Sequence, residues 1–373
     1  MDGETAAPAT KRSKVAPHIP FELALEIMAW LPVKSMLRFK CVCKAWRDTI
    51  SDDAAFRRAH LRAQPPRLLI STSMEEDRMN KVTTIGLYVS EESAALADPI
   101  DLPEDHTYYF SLCNGLVLMP TNTMVRVLNP STRRLLPLPW SPNGVPLAPT
   151  EGLYSVFHQL FGIGYDPRSD TYKVARFFFR PKEPAPTGGY HRNFGMEVYT
   201  IGVDEHWRET VEKPPYAVDI TGTSAFSRGS LFWTIDHTKL VGGESPSGFL
   251  RFRLEDESFS VTPPPPCCEG LVYEMSYLSE LRGELSMAYP GPNCESIEIW
   301  TCDDVDTNPP QWTPRYIFSN YCPKPAKGLE IAMYHLCKDM FILQVLKDIV
   351  GLDHLIYHPH DSVIPYIPSL VPV

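Results

Sequence analysis

A turn followed by an apolar strand recurs along this chain at intervals of about 55 residues. The four copies are marked by Gly115, Gly229, Gly283 and Asp339, and their separations are 114, 54 and 56 residues. The first interval equals two repeats, and residues 162–179 supply the copy between them. A repeat of this length with about four short strands is typical of one blade of a β-propeller, where each blade buries its faces against its neighbours. We therefore predict an all-β propeller over residues 67–373.

Strand-like runs fill these repeats. β-branched and aromatic residues alternate or cluster at 67–72, 83–89, 124–128 and 196–203, separated by Gly, Pro, Asn and Asp. The pairs Asn129-Pro130, Asp166-Pro167 and His358-Pro359 predict turns, because proline presets the first turn position. About 307 residues divided into repeats of about 55 gives five to six blades. We predict six, with residues 67–110 forming an irregular first blade and the C-terminal strands helping to close the ring.

Residues 19–60 have a different pattern. Apolar residues from Phe21 to Leu31 gather on one side of a helix that Pro32 ends. A second helical pattern follows from Val33, and Val42, Trp46 and Ile50 continue as a third. Three helices this short cannot make a large core, so we expect the rest of the chain or a partner to cover some of their apolar surface.

The residues in this segment resemble a known module. Ile19-Pro20, then LEIMAWLPVKSMLRFKCVCKAW at 25–46, then Phe56 to Leu61, resemble the F-box in the form common in plant families. Residues 111–119, 125–139 and 161–177 resemble the F-box-associated domain of plant F-box proteins, a kelch-like propeller. The predicted fold is thus α+β and multidomain: a disordered tail (1–16), a three-helix F-box module (17–62), a break at Gln64-Pro65-Pro66 and the propeller (67–373).

The resemblance also implies a function and a binding surface. F-box modules dock to the Skp-type adaptor of a cullin-RING ubiquitin ligase, the SCF complex, and the propeller holds a protein substrate for ubiquitination. The chain would then be a non-catalytic substrate receptor, linked through the adaptor to a cullin and a RING protein. The adaptor-facing residues implied by the resemblance are Ile19, Pro20, Leu23, Ile27, Leu31, Pro32, Leu37, Val42, Cys43 and Trp46. Any of these can instead be internal core, and Leu37 and Trp46 suit both roles best.

Charge is distributed unevenly along the chain. Residues 11–66 hold eleven Lys or Arg against five Asp or Glu, a net of +6, whereas residues 67–373 carry −14. An acidic main domain argues against nucleic-acid binding, which needs clustered positive charge. The basic helical module suits an acidic protein partner, as Skp-type adaptors are, although charge favours the rate of association more than its strength.

The composition limits the cellular compartments in which the protein is expected. No stretch reaches the roughly 20 apolar residues that a membrane crossing requires, and the first fifteen residues lack a secretory signal. Nine cysteines without a disulfide framework fit a reducing environment. We expect a soluble protein of the cytoplasm, the nucleus or both. The run Lys11-Arg12-Ser13-Lys14 is either a nuclear import signal or a solvated tail.

Motifs for catalysis or metal binding are weak. The cysteine spacings lack the paired C-x-x-C units of a zinc site, so we predict no metal and no cofactor. Gly162-x-Gly164 is a fragment of a phosphate loop, but no helix follows it. Asp166 with Asp170, and His358-Pro359-His360-Asp361, are better explained as turns than as catalytic groups. No base can be placed beside the possible nucleophiles Cys113, Cys267 and Cys302, which are better explained as structural thiols.

Three long loops are candidate recognition surfaces of the propeller, at 141–155, 180–193 and 241–249. Their possible contact residues are Tyr154, Phe157, Arg180, Lys182, Tyr190 and Arg192. For each single residue a solvent loop is the favoured interpretation, so the sequence assigns no substrate-binding site. Two other functions stay open. One is an F-box scaffold or competitive binder outside the ligase, and the other is a propeller enzyme, which would need acidic, His or Tyr side chains converging on the central channel.

Overall fold

The computed structural model describes most of the chain. The described residues are 19–65, 67–75, 81–88, 97–102, 110–120, 124–141, 143, 160–179, 183–184, 190–191, 194–219, 224–236, 246, 248–266, 276–291, 296–319 and 362–373. Among them, residues 68–102, 183–191 and 362–365 are described by their backbone alone.

The helical module contains four helices. They are α1 (Phe21–Ala29), α2 (Val33–Phe39), α3 (Lys44–Asp52) and α4 (Ala54–Ala63). The first three match the predicted patterns, and α4 follows because the Asp53 carboxylate caps its first turn by accepting hydrogen bonds from the backbone N–H groups of Ala55 and Phe56. α1 ends two residues before the predicted end at Leu31. The N–H groups of Trp30 and Leu31 bond three residues back, which tightens the chain into a turn before Pro32.

The remaining elements are strands. They are β1 (Arg67–Glu75), β2 (Lys81–Tyr88), β3 (Ala97–Leu102), β4 (Ser111–Cys113), β5 (Leu116–Pro120), β6 (Val125–Asn129), β7 (Arg134–Pro137), β8 (Leu160–Asp166), β9 (Thr171–Phe179), β10 (Glu183–Pro184), β11 (Tyr190–His191), β12 (Phe194–Thr200), β13 (Arg208–Glu209), β14 (Ala225–Ser227), β15 (Ser230–Thr234), β16 (Phe249–Arg253), β17 (Phe259–Thr262), β18 (Tyr277–Leu281), β19 (Glu284–Pro290), β20 (Ser296–Asp304), β21 (Gln311–Ser319) and β22 (Ser362–Tyr366).

These strands form four-stranded antiparallel sheets, as the repeat predicts for a propeller. We number the sheets as blades in chain order: β22-β1-β2-β3, β4-β5-β6-β7, β8-β9-β12-β13, β14-β15-β16-β17 and β18-β19-β20-β21, with β10 and β11 as a separate hairpin. The first strands of neighbouring blades, β4, β8, β14 and β18, contact one another and form the inner edge. The predicted total of six blades stays a prediction, since residues 320–361 lie outside the described residues.

The first blade includes a strand from the far end of the chain. β22 pairs with β1 in antiparallel register, from Arg67 opposite Tyr366 to Ser71 opposite Ser362. This pairing is the one expected if a C-terminal strand helps to close the ring, and it removes an exposed sheet edge of blade 1 that could otherwise pair with another chain. Closure of the whole ring stays a prediction, since residues 320–361 lie outside the described residues.

The three glycine repeat markers lie in hairpin turns, and the fourth marker, Asp339, lies outside the described residues. Gly115, Gly229 and Gly283 each occupy the second position of a two-residue turn whose first residue also has a positive φ, between 46° and 55°. This is the type I′ turn, which matches the twist of antiparallel strands. The predicted turns at Asn129 and Asp166 are present as well, because each side chain accepts a hydrogen bond from the backbone N–H two residues later. His358-Pro359 lies outside the described residues.

Blade 3 and blade 4 pack closely at their inner strands. Gly162 and Gly164 lie within β8, and no helix follows them. A Cβ at Gly162 would lie 2.7 Å from Ser224 Oγ, and one at Gly164 would lie 2.4 Å from Leu254 Cδ1. These glycines therefore allow the approach of two blades.

Among the described residues, the helical module contacts the propeller at Leu370 and at Arg58. Leu370, which follows β22, is buried in the helical core with Met36, Ile50 and Phe56. Arg58 of α4 forms an ion pair of 2.8 Å with Asp170, in the turn between β8 and β9. The chain after β22 is itself fixed to blade 2, because Asn129 Nδ2 donates to the carbonyl oxygens of Ser369 and Val371. As expected, the rest of the chain covers part of the helical apolar surface.

Candidate functional site

Helix α1 has apolar residues on two opposite faces. Leu25, Met28 and Ala29 face the helical core. Four others, Ile19, Leu23, Ile27 and Trp30, are separated by four, four and three residues, which aligns them along one side of the helix and its flanks. Their exposed fractions are 58%, 51%, 54% and 73%. This stripe is too apolar for a face that only contacts water, and it indicates an interaction surface.

The structure places the ten sequence-predicted residues in two groups, and none of the ten is fully buried. Seven are exposed: Ile19, Pro20, Leu23, Ile27, Pro32, Val42 and Cys43. Leu31, Leu37 and Trp46 are half-buried and pack against the helical core. The predicted double role of Leu37 and Trp46 is therefore sterically possible, since each contributes to the core and keeps an exposed part.

The helical core is complete without the exposed stripe. Met28, Val33, Met36, Ile50 and Phe56 are buried together, and the half-buried Phe39 and Trp46 rings, 5.2 Å apart, flank them. Since these residues fill the interior, the side chains of the stripe do not contribute to the helical core and are available to contact a partner.

Helix α4 holds the end of α1 in place. His60 Nε2 lies 2.9 Å from the carbonyl oxygen of Leu31, and Gln64 Nε2 donates to the carbonyl oxygens of Ala29 and Leu31. These carbonyls cannot be satisfied within α1, because it ends before Pro32. Burial lowers the pKa of His60, so the ring is neutral and carries its proton on Nε2 to donate to Leu31. No local sequence pattern predicts this support.

The α2–α3 connection contributes a second exposed apolar group. Val42 is 60% exposed, and Cys43 caps α3 by accepting a hydrogen bond at Sγ from the backbone N–H of Trp46, at 3.5 Å. Exposed Lys34, Arg38, Lys44 and Arg47 give this part of the module a positive charge. An apolar stripe beside basic residues suits a partner that is both apolar and acidic at its binding surface.

The sequence-based list omitted two exposed apolar residues of this helix: Trp30, which belongs to the stripe, and Phe21, which lies on the other side of α1. Trp30 is the most exposed of the apolar residues in α1 and its flanks, and Phe21 is 40% exposed. Phe21 belonged to the predicted helical pattern, whereas Trp30 continues the spacing Leu23, Ile27 by three residues. That spacing was the available signal for including Trp30.

The predicted recognition loops fall largely outside the described residues, as do Tyr154, Phe157, Arg180, Lys182 and Arg192 and the side chain of Tyr190. One buried cluster lies where the first loop begins. Arg176 and Glu197 form an ion pair of 3.3 Å inside blade 3, and the Glu197 carboxylate also accepts hydrogen bonds from Ser141 Oγ and Asn143 Nδ2, both at 2.6 Å. The guanidinium stacks 5.6 Å from the centre of the Phe161 ring. This cluster fixes Ser141 and Asn143 to blade 3.

The candidate catalytic groups lie in environments that are typical of residues with a structural role. Cys113 and Cys302 are buried, and burial raises the pKa of the Cys302 thiol to about 11 and that of Cys113 well above its usual range. Asp166 caps its turn and pairs with Lys173 at 3.0 Å. Cys267 and residues 358–361 lie outside the described residues. Within the described ranges, no three His, Cys, Asp or Glu side chains are placed to hold a metal ion.

In the described part of the chain, none of the helices has the length and apolar composition that a membrane crossing requires.

Comparison with known proteins identifies both regions of the chain. The F-box domain model matches residues 17–58, and the F-box associated beta propeller domain model matches residues 67–334. The chain is 28% identical over 334 residues to the F-box protein At4g19940 of Arabidopsis thaliana, which covers 83% of this chain and 74% of that protein. It is 31% identical over 223 residues to the F-box/kelch-repeat protein At2g43270 of the same plant, covering 57% of this chain and 95% of that protein. Since the propeller-domain model alone spans more than half of the sequence, the chain belongs to the F-box proteins that carry an F-box associated beta propeller domain.

Proposed function

We propose that this chain is the substrate-recognition subunit of an SCF-type cullin-RING ubiquitin ligase. The helical module docks to a Skp-type adaptor, which links it to a cullin and a RING protein, and the propeller holds a protein substrate. The chain itself catalyses no chemical step. It raises the rate of ubiquitin transfer by holding a substrate lysine near the charged enzyme, an effect of proximity.

The observation that carries the proposal is the exposed stripe of Ile19, Leu23, Ile27 and Trp30, together with Val42. These residues belong to a module whose core is already filled, so burying them against a partner lowers the free energy of the complex. Tryptophan is enriched among the few residues that each contribute about 2 kcal/mol or more at the centre of an interface, so Trp30 is expected to contribute most. The surrounding positive charge fits the acidic adaptor.

The connection between the two regions supports the same function. A receptor must hold its substrate at a defined position relative to the adaptor, which requires the propeller and the helical module to move as a unit. Leu370 in the helical core and the Arg58–Asp170 ion pair join them. Of the two contacts, the apolar one contributes more, because an exposed ion pair contributes about 1 kcal/mol or less.

The test is co-purification of the full chain with a Skp-type adaptor. Substituting Ile27→Asp and Val42→Asp together places two carboxylates in the apolar surface and leaves the core unchanged, since both side chains are exposed. We expect at least a hundredfold loss of adaptor affinity, because two buried, unpaired charges replace two apolar contacts. Calorimetric titration of the purified proteins measures the loss.

The matched control is Val203→Asp with Ile317→Asp, two equally exposed apolar residues of the propeller. This variant should bind the adaptor as tightly as the unaltered chain. Equal affinity for both variants would contradict the docking surface. A reconstituted ubiquitin-transfer assay with the cullin and RING subunits then separates a ligase receptor, which supports transfer, from a scaffold, which binds the adaptor without it.

A further inference from the structure

A cleft of about 330 Å³ lies between α4 and the propeller. Its helical side carries Arg57, Arg58 and Arg62, and its propeller side carries Tyr165, Asp170 and Tyr172. The volume is at the lower end of the range found for small-molecule sites, about 300–1,000 Å³.

The charge of this cleft contrasts with the rest of the molecule. Three guanidinium groups face one carboxylate, Asp170, so the lining has a net charge of +2 in a chain whose net charge is −10. Arg58 is paired with Asp170 at 2.8 Å, and Arg57 donates one of its five N–H groups to the carbonyl oxygen of Ser51. Arg62 is exposed and makes no ion pair within the described residues.

Lys40, near α4, also lies among more cations than anions. Lys40 is half-buried between the two regions, and its pKa is lowered by burial and by the charges of Arg134 and Arg57. Arg134 belongs to blade 2 and Arg57 to α4, and the one carboxylate that acts on Lys40 in the opposite direction is Asp52, so cations from both regions outnumber the described anions here. Convergence of like charges in a partly buried junction is costly unless an anion balances them.

We propose that this cleft binds the phosphate group of a small phosphorylated molecule. Guanidinium groups hold phosphate oxygens through paired N–H donors, and the arginines of α4 offer such donors on one wall. On the facing wall, the Tyr172 hydroxyl accepts a hydrogen bond from Asn114 Nδ2 at 3.3 Å and keeps its own proton to donate. A bound phosphate would contact the helical module and the propeller together, so it would stabilise their junction.

The test uses inorganic pyrophosphate as the probe, titrated into the full chain at constant ionic strength set with chloride. We expect saturable binding with one site and a rise in the midpoint of thermal unfolding that follows the probe concentration. Arg57→Gln with Arg62→Gln should weaken binding at least tenfold. Asp170→Asn should strengthen it several-fold, because this change removes the only carboxylate of the cleft and releases Arg58 for the ligand.

The matched control is Arg253→Gln with Arg315→Gln, two half-exposed arginines of blades 4 and 5, which should change the affinity less than twofold. Absence of pyrophosphate binding at millimolar concentration would overturn the proposal. So would equal weakening in the control variant, or weaker binding after Asp170→Asn in a protein that unfolds normally. A phosphoserine peptide that binds more tightly than pyrophosphate would show that the ligand is a protein and not a small molecule.

Discussion

Individual residues of this protein are constrained by close contacts between distant parts of the chain. Gly164 is the clearest case, because its missing side chain leaves room for Leu254 and Phe226 of blade 4. His60 is another, since it is buried where its Nε2 can bond the carbonyl oxygen at the end of α1. Gly164, part of a phosphate-loop fragment in the sequence, thus serves blade packing, and His60 serves helix termination.

Gly164→Ala tests the blade contact. A Cβ 2.4 Å from Leu254 Cδ1 and 2.7 Å from Phe226 forces these side chains apart. We expect a loss of about 1–3 kcal/mol in the free energy of unfolding, measured by denaturant titration. Gly202→Asn is the control, because nothing lies within 4 Å of its Cβ position and asparagine tolerates its φ of +77°. An equal loss in both variants would contradict the close packing of blades 3 and 4.

His60 predicts a pH dependence of the helical module. The pKa of His60 is lowered in the folded state. Below the unfolded-state pKa of about 6.5, the unfolded chain therefore binds a proton at this histidine that the folded chain does not bind. Stability should therefore fall as the pH decreases from 7.5 to 5.5, by about 1.4 kcal/mol for each unit of pKa difference. Hydrogen exchange of the helices measures this. His60→Gln keeps a donor for Leu31 and should flatten the dependence, whereas an unchanged slope would assign it to other groups.

At the scale of helices and strands, the sequence predicts features that depend on neighbouring residues better than features that depend on distant ones. The turns at Asn129 and Asp166, the hairpin glycines and the helix end near Pro32 depend on neighbouring residues, so the sequence predicted them. The pairing of β1 with β22 was anticipated only in outline, because its register depends on residues nearly 300 positions apart. The resemblance listed the exposed residues of the proposed adaptor surface, and their binding role stays a prediction. Trp30 was not on that list, and the support from His60 and Gln64 has no local sequence pattern.

The buried pair in blade 3 gives an element-scale prediction. Glu197→Ala removes the carboxylate that Arg176 faces and that Ser141 and Asn143 bind. We expect a loss of about 3–5 kcal/mol, seen as a lower midpoint of thermal unfolding, because a buried guanidinium is left without this anion. Glu255→Ala removes an exposed partner of Arg168 and should cost less than about 1 kcal/mol. Similar costs for the two changes would show that the Arg176–Glu197 pair is solvated.

The whole molecule depends on the segment after β22. Asn129 holds this segment against blade 2, Val371 enters the core shared by blades 2 and 3, and Leu370 enters the helical core. One short stretch therefore contributes to two hydrophobic cores, and the stability of the helical module depends on a residue outside it.

Leu370→Asp tests this dependence. A carboxylate in the helical core should lower the stability of the module by about 3 kcal/mol or more. We expect faster hydrogen exchange in the helices and weaker adaptor binding, with the exchange of blades 4 and 5 unchanged. Ile367→Asp is the control, since that side chain is 38% exposed. Normal adaptor binding by the Leu370 variant would show that the helices fold independently.

The position of Leu370 also has a consequence for biosynthesis. The helical module is translated before the propeller repeats, yet Leu370 of its core is translated after them. Under the function proposed above, a nascent chain that lacks Leu370 would present a weakened module to the adaptor, and full docking strength would arise only after the propeller strands have been made. The order of translation would then limit competition between incomplete and complete chains for that proposed partner.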